Sequence, residues 1–318
     1  MRLFVTGGAG FIGSNYVQHV LATSDDAVTV YDALTYAGNL ANLRAVEDDP
    51  RYRFVKGDIT DRAAVEEAMA GHDVVVHFAA ESHVDRSIVS PDEFVHTNCD
   101  GTNVIMDVAR RLEVSRVLHI STDEVYGSIE EGSFAEDDPL TPRSPYSASK
   151  AGSDLIALSY FTTYGLPVVI SRSSNNFGPY QYPEKVIPLF VTNLLDGRKV
   201  PLYGDGMNVR DWCYVEDNCA GVDLVQRKGT VGEIYNIGAG NEIPNRLLTE
   251  KILGLLGTDE SMISYVEDRL GHDRRYSIAT EKVESLGWRP QRDLDEALAA
   301  TVEWYRENRA WWEPLKAG

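Results

Sequence analysis

Arg2-Leu3-Phe4-Val5-Thr6-Gly7-Gly8-Ala9-Gly10-Phe11-Ile12-Gly13 decides how this chain folds. The first five residues read as a short apolar strand, and residues 11–21 carry a helical pattern. Between them, Gly8, Gly10 and Gly13 satisfy G-x-G-x-x-G, while Gly7, Gly10 and Gly13 give the looser G-x-x-G-x-x-G. Glycine permits the tight turn from strand to helix and lets the backbone approach a pyrophosphate at the helix N-terminus. Glycine-rich turns are common, so the strand–turn–helix setting is what gives the motif weight. Asp32 closes the next strand, about 20 residues beyond Gly13, where a carboxylate grips an adenosine ribose diol. Such a carboxylate repels a 2′-phosphate, so NAD is expected rather than NADP. Asp58, after the third strand, either reaches an adenine amino group or caps the helix that follows. Nothing matches G-x-x-x-x-G-K-[ST], so a nucleoside triphosphatase is not suggested.

Outward from this motif, β-branched runs and helical patterns alternate. Strands are expected over 2–6, 27–31, 52–55, 73–78, 116–120 and 167–171. Helices are expected over 11–21, 40–47, 61–69, 92–112 and 146–164. Strands joined by helical crossovers form a parallel sheet covered on both faces, which binds ligands at its carboxyl edge. Beyond residue 173 the sequence turns Gly-, Asn- and Pro-rich. Helices are expected near 184–195, 215–227, 245–256, 280–286 and 293–307, with a strand over 233–237 rejoining the sheet. The fold class is therefore α/β: a Rossmann-like doubly wound sheet with a second, smaller α/β lobe. The expected division is interleaved. Residues 1–172, with a return near 209–238, bind the dinucleotide, and 173–208 with 239–318 form the second lobe.

Bulk properties exclude several classes. Hydrophobic residues make up 43% and charged residues 25%, as in soluble globular proteins. No apolar stretch reaches the roughly 18 residues of a membrane helix, and the N-terminus enters a strand without a signal-peptide pattern. Cytoplasmic residence is therefore expected. A net charge of −19 argues against nucleic-acid or anionic-membrane surfaces. It also means that a phosphorylated ligand needs local arginines, for which Arg210, Arg269, Arg274 and Arg275 are candidates. Cys99, Cys213 and Cys219 form no Cys-x-x-Cys pair, and the histidines show no ligand spacing, so no metal site is expected.

Two further stretches carry chemistry. Thr122-Asp123-Glu124, at the end of the strand over 116–120, sets a hydroxyl and two acids side by side. Such a cluster can bind a sugar hydroxyl, protonate a leaving group and abstract a proton. Tyr146-Ser147-Ala148-Ser149-Lys150 places Tyr146 and Lys150 on one helical face, with Pro145 at the helix start. A nearby ammonium favours phenolate, so Lys150 is expected to lower the Tyr146 pKa and let it take a proton from a sugar hydroxyl. An acid that works beside this pair has to hold a proton near neutral pH. For Asp123, desolvation and the neighbouring carboxylate both push that way.

With these motifs the chain resembles the extended short-chain dehydrogenase/reductase superfamily, and within it the dTDP-glucose 4,6-dehydratases. Essentially the whole chain takes part. The resemblance runs through residues 7–13, 79–87, 121–127, 146–150, 174–179, 183–185, 209–212 and 269–276. It implies a redox-neutral NAD-dependent lyase that converts dTDP-glucose to dTDP-4-keto-6-deoxyglucose. Thr122 then binds the 4-hydroxyl, Tyr146 is the base for its oxidation, and Lys150 supports Tyr146 and holds the nicotinamide ribose. Glu124 removes the C5 proton, Asp123 protonates the departing 6-hydroxyl, and hydride returns to C6.

For the cofactor, the resemblance implies contacts from Gly7, Gly10, Phe11, Ile12, Gly13 and Asp32. Leu34, Thr35, Gly38, Asp58 and Ile59 join them, as do Ala79, Ala80, Ser82, Asn98 and Asn175. For the nucleotide sugar it implies Ser82, His83, Asn176, Lys185, Val186 and Leu189. Pro201, Tyr203, Arg210, Asn245, Arg269, His272 and Tyr276 complete that set. Leu270 departs from the proline usual in the family, and Cys213 from an aliphatic residue.

Other readings are a sugar-nucleotide 4-epimerase, a 4,6-dehydratase of another nucleotide sugar, and a non-catalytic NAD-sensing protein. An epimerase needs no acid pair for elimination, and a sensor needs neither Tyr146 nor Lys150. The resemblance also implies a homodimer. Apolar stripes at Val104, Ile105, Val108, Ala109 and Leu112, and at Ala148, Gly152, Leu155, Ile156 and Ser159, suit a four-helix contact.

Overall fold

The computed structural model describes residues 1–268 and 271–316. Strand β1 (Arg2–Thr6) passes through the glycine turn into α1 (Phe11–Thr23), followed by β2 (Ala27–Asp32) and β3 (Tyr52–Lys56). Next come α2 (Arg62–Met69), β4 (Val74–His77), α3 (Val84–Val89), α4 (Pro91–Val95) and α5 (Thr102–Arg111). Then follow β5 (Arg116–Thr122), α6 (Pro145–Tyr164), β6 (Val168–Ser173) and β7 (Asn175–Phe177). The chain continues with α7 (Val186–Leu195), β8 (Val200–Tyr203), β9 (Val209–Tyr214), α8 (Val215–Lys228) and β10 (Ile234–Ile237). It ends with β11 (Glu242–Pro244), α9 (Asn245–Leu255), β12 (Ile263–Val266), α10 (Glu281–Ser285), α11 (Leu294–Glu307) and α12 (Arg309–Trp312).

Among the described residues, seven strands pair in parallel in the order β10-β6-β5-β4-β1-β2-β3. The alternation of side chains along each strand builds a core on each face. Leu3, Val5, Val28, Val30, Val74 and Val76 pack under α1 and α8. Phe4, Tyr31, Val75, Val117, Val168 and Ile170 pack under α2, α5 and α6. Because the strands are buried on both sides, they read as apolar runs rather than alternating ones. The order reverses between β1 and β4, and the crevice of such a sheet opens at that switch point.

A third apolar cluster joins α7, β8, β9, α9, β12, α11 and α12, with Phe190, Trp212, Leu298, Tyr305 and Trp312 buried in it. Small sheets frame it: β11-β9-β7, and β12-β8. In contrast, Val283 of α10 and Trp288 pack into the α1/α8 core, and Trp288 Nε1 donates to the Asp217 carbonyl at 2.9 Å.

The expected 92–112 helix is interrupted by a π-turn at His96–Gly101. Its widened backbone turns Asn98 inward, where that residue is buried and bonds both Glu81 and Ser149. The expected 40–47 helix is a 3₁₀ helix over Leu40–Val46, started by Asn39. Helices α3 and α12 and strands β7, β8, β9, β11 and β12 were not expected. They are short, and the strands pair with partners distant in sequence.

Candidate active site

The glycine turn shapes the first of two adjoining cavities. α1 starts at Gly10 with no side-chain cap, so its first-turn N–H groups are left for a ligand, and Gly10, Phe11, Ile12 and Gly13 line the cavity. A Cβ on Gly13 would lie 2.3 Å from the Gly7 carbonyl oxygen, and one on Gly7 would lie 2.6 Å from the Ala79 nitrogen. These backbones therefore meet as closely as glycine allows. Asp32 accepts from the backbone N–H of Ala9 at 3.0 Å and of Leu34 at 2.8 Å, and still lines the cavity. Burial raises its pKa, against the pull of those two bonds. Thr35, Gly38, Asp58, Ile59, Ala79, Ala80, Ser82, Tyr146 and Lys150 line the same space. This cradle fits a dinucleotide.

Three of the expected cofactor residues lie elsewhere. Leu34 turns into the α1/α8 core with a left-handed backbone, Asn98 sits behind Glu81, and Asn175 lines the second cavity. The alternative raised for Asp58 is resolved in part: Asp61, not Asp58, caps α2, while Asp58 accepts from Thr60. Tyr36, Glu81, Gln181, Tyr182 and Glu184 also line the first cavity and were not singled out from the sequence. Glu184 was within reach of that reading, since it stands inside Pro183-Glu184-Lys185.

The acid cluster lies between the cavities. Thr122 ends β5 and caps a 3₁₀ turn at Asp123–Val125, accepting from the Glu124 N–H at 3.3 Å and donating to Asp123 Oδ1 at 3.2 Å. Asp123 is buried. Desolvation, the Glu124 charge and the Asp211 charge hold its pKa well above the usual carboxylate range, while Thr122 and Arg210 pull it down. Its Oδ2 meets no hydrogen-bond partner among the described residues. Glu124 faces the second cavity instead.

α6 begins with a Ser144/Ser147 capping box and Pro145, and ends at the left-handed Gly165. It places Tyr146 and Lys150 on the cavity wall. Lys150 Nζ donates to the Ile120 carbonyl at 2.7 Å, and burial lowers its pKa to about 8. The expected lowering of the Tyr146 pKa is reversed: burial, Glu124 and Asp123 raise it, and only the Thr122 hydroxyl pulls it back appreciably.

The second cavity collects nearly all of the expected substrate residues. His83, Glu124, Asn176, Lys185, Val186 and Leu189 line it, with Pro201, Tyr203, Arg210, Asn245, His272 and Tyr276. Ser82 lines the first cavity, and Thr122 and Asp123 lie in the chain between Ser121, which lines the first cavity, and Glu124, which lines the second. Arg269 and Leu270 lie outside the described residues. Buried side-chain atoms of Asn175, Asn176, Gln181, Trp212 and Asn245 around this cavity find no partner among the described residues, which suits a polar ligand.

Arg210 stacks on Tyr276, its guanidinium carbon 4.0 Å from the ring centre, and donates to the Asp273 carbonyl at 2.9 Å. Arg274 pairs with Asp205 at the surface and Arg275 with Glu242, so neither is placed like Arg210. Cys213 is buried in the α1/α8 core.

The profile of the GDP-mannose 4,6 dehydratase family matches residues 4–301. A dTDP-glucose 4,6-dehydratase of Streptomyces antibioticus is 57% identical over 323 residues, covering 99% of this chain and 96% of that protein. The crystal structure of a dTDP-glucose 4,6-dehydratase from Streptomyces venezuelae, solved with NAD bound, superposes with a TM-score of 0.98 at 57% identity, covering 99% of this chain and 100% of the other. A UDP-glucose 4-epimerase from Thermotoga maritima superposes at 0.90 with 30% identity, covering 97% and 100%. The chain belongs to the dTDP-glucose 4,6-dehydratase family of extended short-chain dehydrogenases/reductases.

Proposed function

We propose that this protein is a redox-neutral NAD-dependent lyase that converts dTDP-glucose to dTDP-4-keto-6-deoxyglucose. The observation that carries this reading is the split between two adjacent acids. Asp123 is buried, and desolvation with the Glu124 and Asp211 charges holds its pKa well above the usual carboxylate range, whereas Glu124 opens on the second cavity. Elimination needs such a pair, one group to give a proton and one to take it. The UDP-glucose 4-epimerase shares the fold, so the fold alone does not separate the two activities; the acid pair favours elimination.

The chain's own residues take these parts. Thr122 orients the sugar 4-hydroxyl, and Tyr146 removes its proton. Glu124 takes the proton at C5, acidified by the adjacent ketone, and Asp123 protonates the departing 6-hydroxyl. When bound, NAD supplies the hydride acceptor for C4 and the donor for C6, and the positive charge of its oxidised ring favours phenolate. Residues of the glycine turn with Asp32 hold the dinucleotide, and Lys150 holds its nicotinamide ribose. Arg210, with Lys185, Asn176 and Asn245, holds the sugar nucleotide. Arg269 and His272 are assigned to its diphosphate by family resemblance.

We assign residues 1–172 and the return over 209–238 to the cofactor, and 173–208 with 239–318 to the sugar nucleotide. The separate apolar cluster beneath the second cavity supports this division, and α10 crosses back onto the first core. The working form is a homodimer in the cytoplasm, a reading supported by the exposed Leu155 and Val95 and by three free thiols. No helix of the described residues is long and apolar enough to cross a membrane.

Incubation with NAD and dTDP-, UDP- and GDP-hexoses tests the activity. A keto-sugar should form from dTDP-glucose without net NADH. Its absence, or stoichiometric NADH, overturns the assignment.

A further inference from the structure

A reaction that returns its own hydride fails if the dinucleotide leaves between the two halves. The binding residues above hold the dinucleotide from within its cavity, and a device that closes over the cavity mouth would slow its escape further. The sheet order shows where a retaining device can sit. β2 lies on one side of β1, and β4, β5 and β6 on the other. A link from the segment after β2 to the segment before α7 therefore runs across the carboxyl ends of β1, β4 and β5, where the first cavity opens.

The structure contains such a link. Tyr36, after β2, donates its hydroxyl to Glu184 Oε1 at 2.9 Å. Arg86, from α3, lays its guanidinium 3.7 Å from the centre of the Tyr36 ring and brings Nη2 to 3.6 Å from Glu184 Oε2. His83 Nε2 is also 3.6 Å from that oxygen. Tyr36 and Glu184 both line the first cavity.

Both banks are anchored. Asp32 holds the Leu34 N–H at 2.8 Å, and Gly38 donates to the Thr35 carbonyl at 3.1 Å. Opposite, Asn15 donates to the Pro179 carbonyl at 3.1 Å, and the buried Tyr305 hydroxyl donates to that of Gln181 at 2.5 Å. Lys185 ties this bank to the Ser82 carbonyl at 2.8 Å. The bond that can yield without breaking either bank is the one between the side chains of Tyr36 and Glu184. Burial and the Glu184 charge raise the Tyr36 pKa, so its hydroxyl stays a donor at neutral pH.

We propose that Tyr36, Arg86 and Glu184 form a clasp across the dinucleotide cavity that opens for loading and holds the cofactor through turnover. The clasp rests on the NAD-dependent reading above. Its bonds are made in the chain itself, so it opposes entry as well as exit. That separates a clasp from a simple contact with the cofactor, whose loss speeds release alone.

The test loads wild type, Tyr36→Phe and Glu184→Gln with labelled NAD, then chases with unlabelled NAD to obtain the release rate. Loading of the NAD-free proteins gives the association rate, and their unfolding midpoints check the fold. Release should quicken by roughly tenfold to a hundredfold in both variants, the factor of one hydrogen bond to a charged acceptor. Association should quicken too, and reduced cofactor should appear in solution during turnover of dTDP-glucose. Faster release with unchanged association would make Tyr36 a contact and overturn the clasp. Unchanged release in folded variants would also overturn it. If wild type retains no label at all, it is the NAD-dependent reading that fails.

Discussion

Asp123 and Glu124 are adjacent, yet Asp123 is buried whereas Glu124 is half-buried and lines the second cavity. Asp123→Asn and Glu124→Gln should block elimination more than oxidation, so both should accumulate bound NADH when given dTDP-glucose. Elimination at the native rate in both would remove them from the mechanism. Tyr146→Phe should lose about 10²–10⁴ in rate, measured as the initial formation of reduced cofactor. The raised pKa of Asp123 has a second consequence. The folded protein keeps a proton that the unfolded chain releases near pH 4. The stability this proton contributes is full below about pH 4 and is lost as pH rises through the folded value. Asp123→Asn should therefore gain on wild type in denaturant unfolding as pH climbs toward 7, and show no advantage in acid. Lys150 gives the alkaline limit: its pKa near 8 means kcat/KM should fall above that pH. A profile flat to about pH 10 would show that its charge is not needed. The sequence named all of these residues. It missed the sign of the Tyr146 shift, because Tyr-x-x-x-Lys spacing shows the ammonium but not the burial and two carboxylates that outweigh it.

At the scale of elements, the alternation of buried strands and crossovers was plain because each strand is an apolar run and each helix is long enough to show a period. The lobe over the second cavity was harder to read. β7 and β11 span three residues each, and β12 pairs with β8 from about sixty residues away, so local pattern says nothing of them. The π-turn at His96–Gly101 was equally hidden, since its sequence is that of an ordinary helix. Glycines show how much of a local motif is forced. Gly13→Ala sets a Cβ 2.3 Å from a backbone oxygen that cannot swing away. It should cost about 1–3 kcal/mol of stability and weaken NAD binding. Gly254, inside α9, meets nothing within 4 Å, so Gly254→Ala should stabilise by about 0.4–1 kcal/mol. Urea unfolding of the two variants should move in opposite directions. Equal effects would mean that the turn at Gly13 can relax.

For the whole molecule, the proposed homodimer requires a surface on which a second copy can sit. Of the two helical stripes expected to do so, that of α5 is spent inside the subunit. Val104, Ile105, Val108 and Ala109 are buried against the sheet. The stripe of α6 divides. Gly152 faces its own neighbour, since a Cβ there would lie 3.0 Å from Cys99 Sγ, whereas Leu155 is 60% exposed and Ala148 and Ser159 are exposed beside it. Val95, at the end of α4, is 51% exposed, and α4 packs along α6. On a molecule of net charge −19, the exposed Ala148, Leu155 and Ser159 of α6 carry no charge, and there two copies can approach with least repulsion. A two-fold axis along α6 would pair Leu155 near its mate. Leu155→Glu should then give monomers by light scattering, and salt should favour the wild-type dimer by screening the rest of the surface. A glutamate at Gly152 would be a poorer test, because it would clash with Cys99 before reaching a partner. Tyr146 and Lys150 ride on the same helix, so the monomer should also lose activity. A Leu155→Glu protein that remains dimeric would move the interface off α6, and one that is monomeric yet fully active would uncouple the interface from the site.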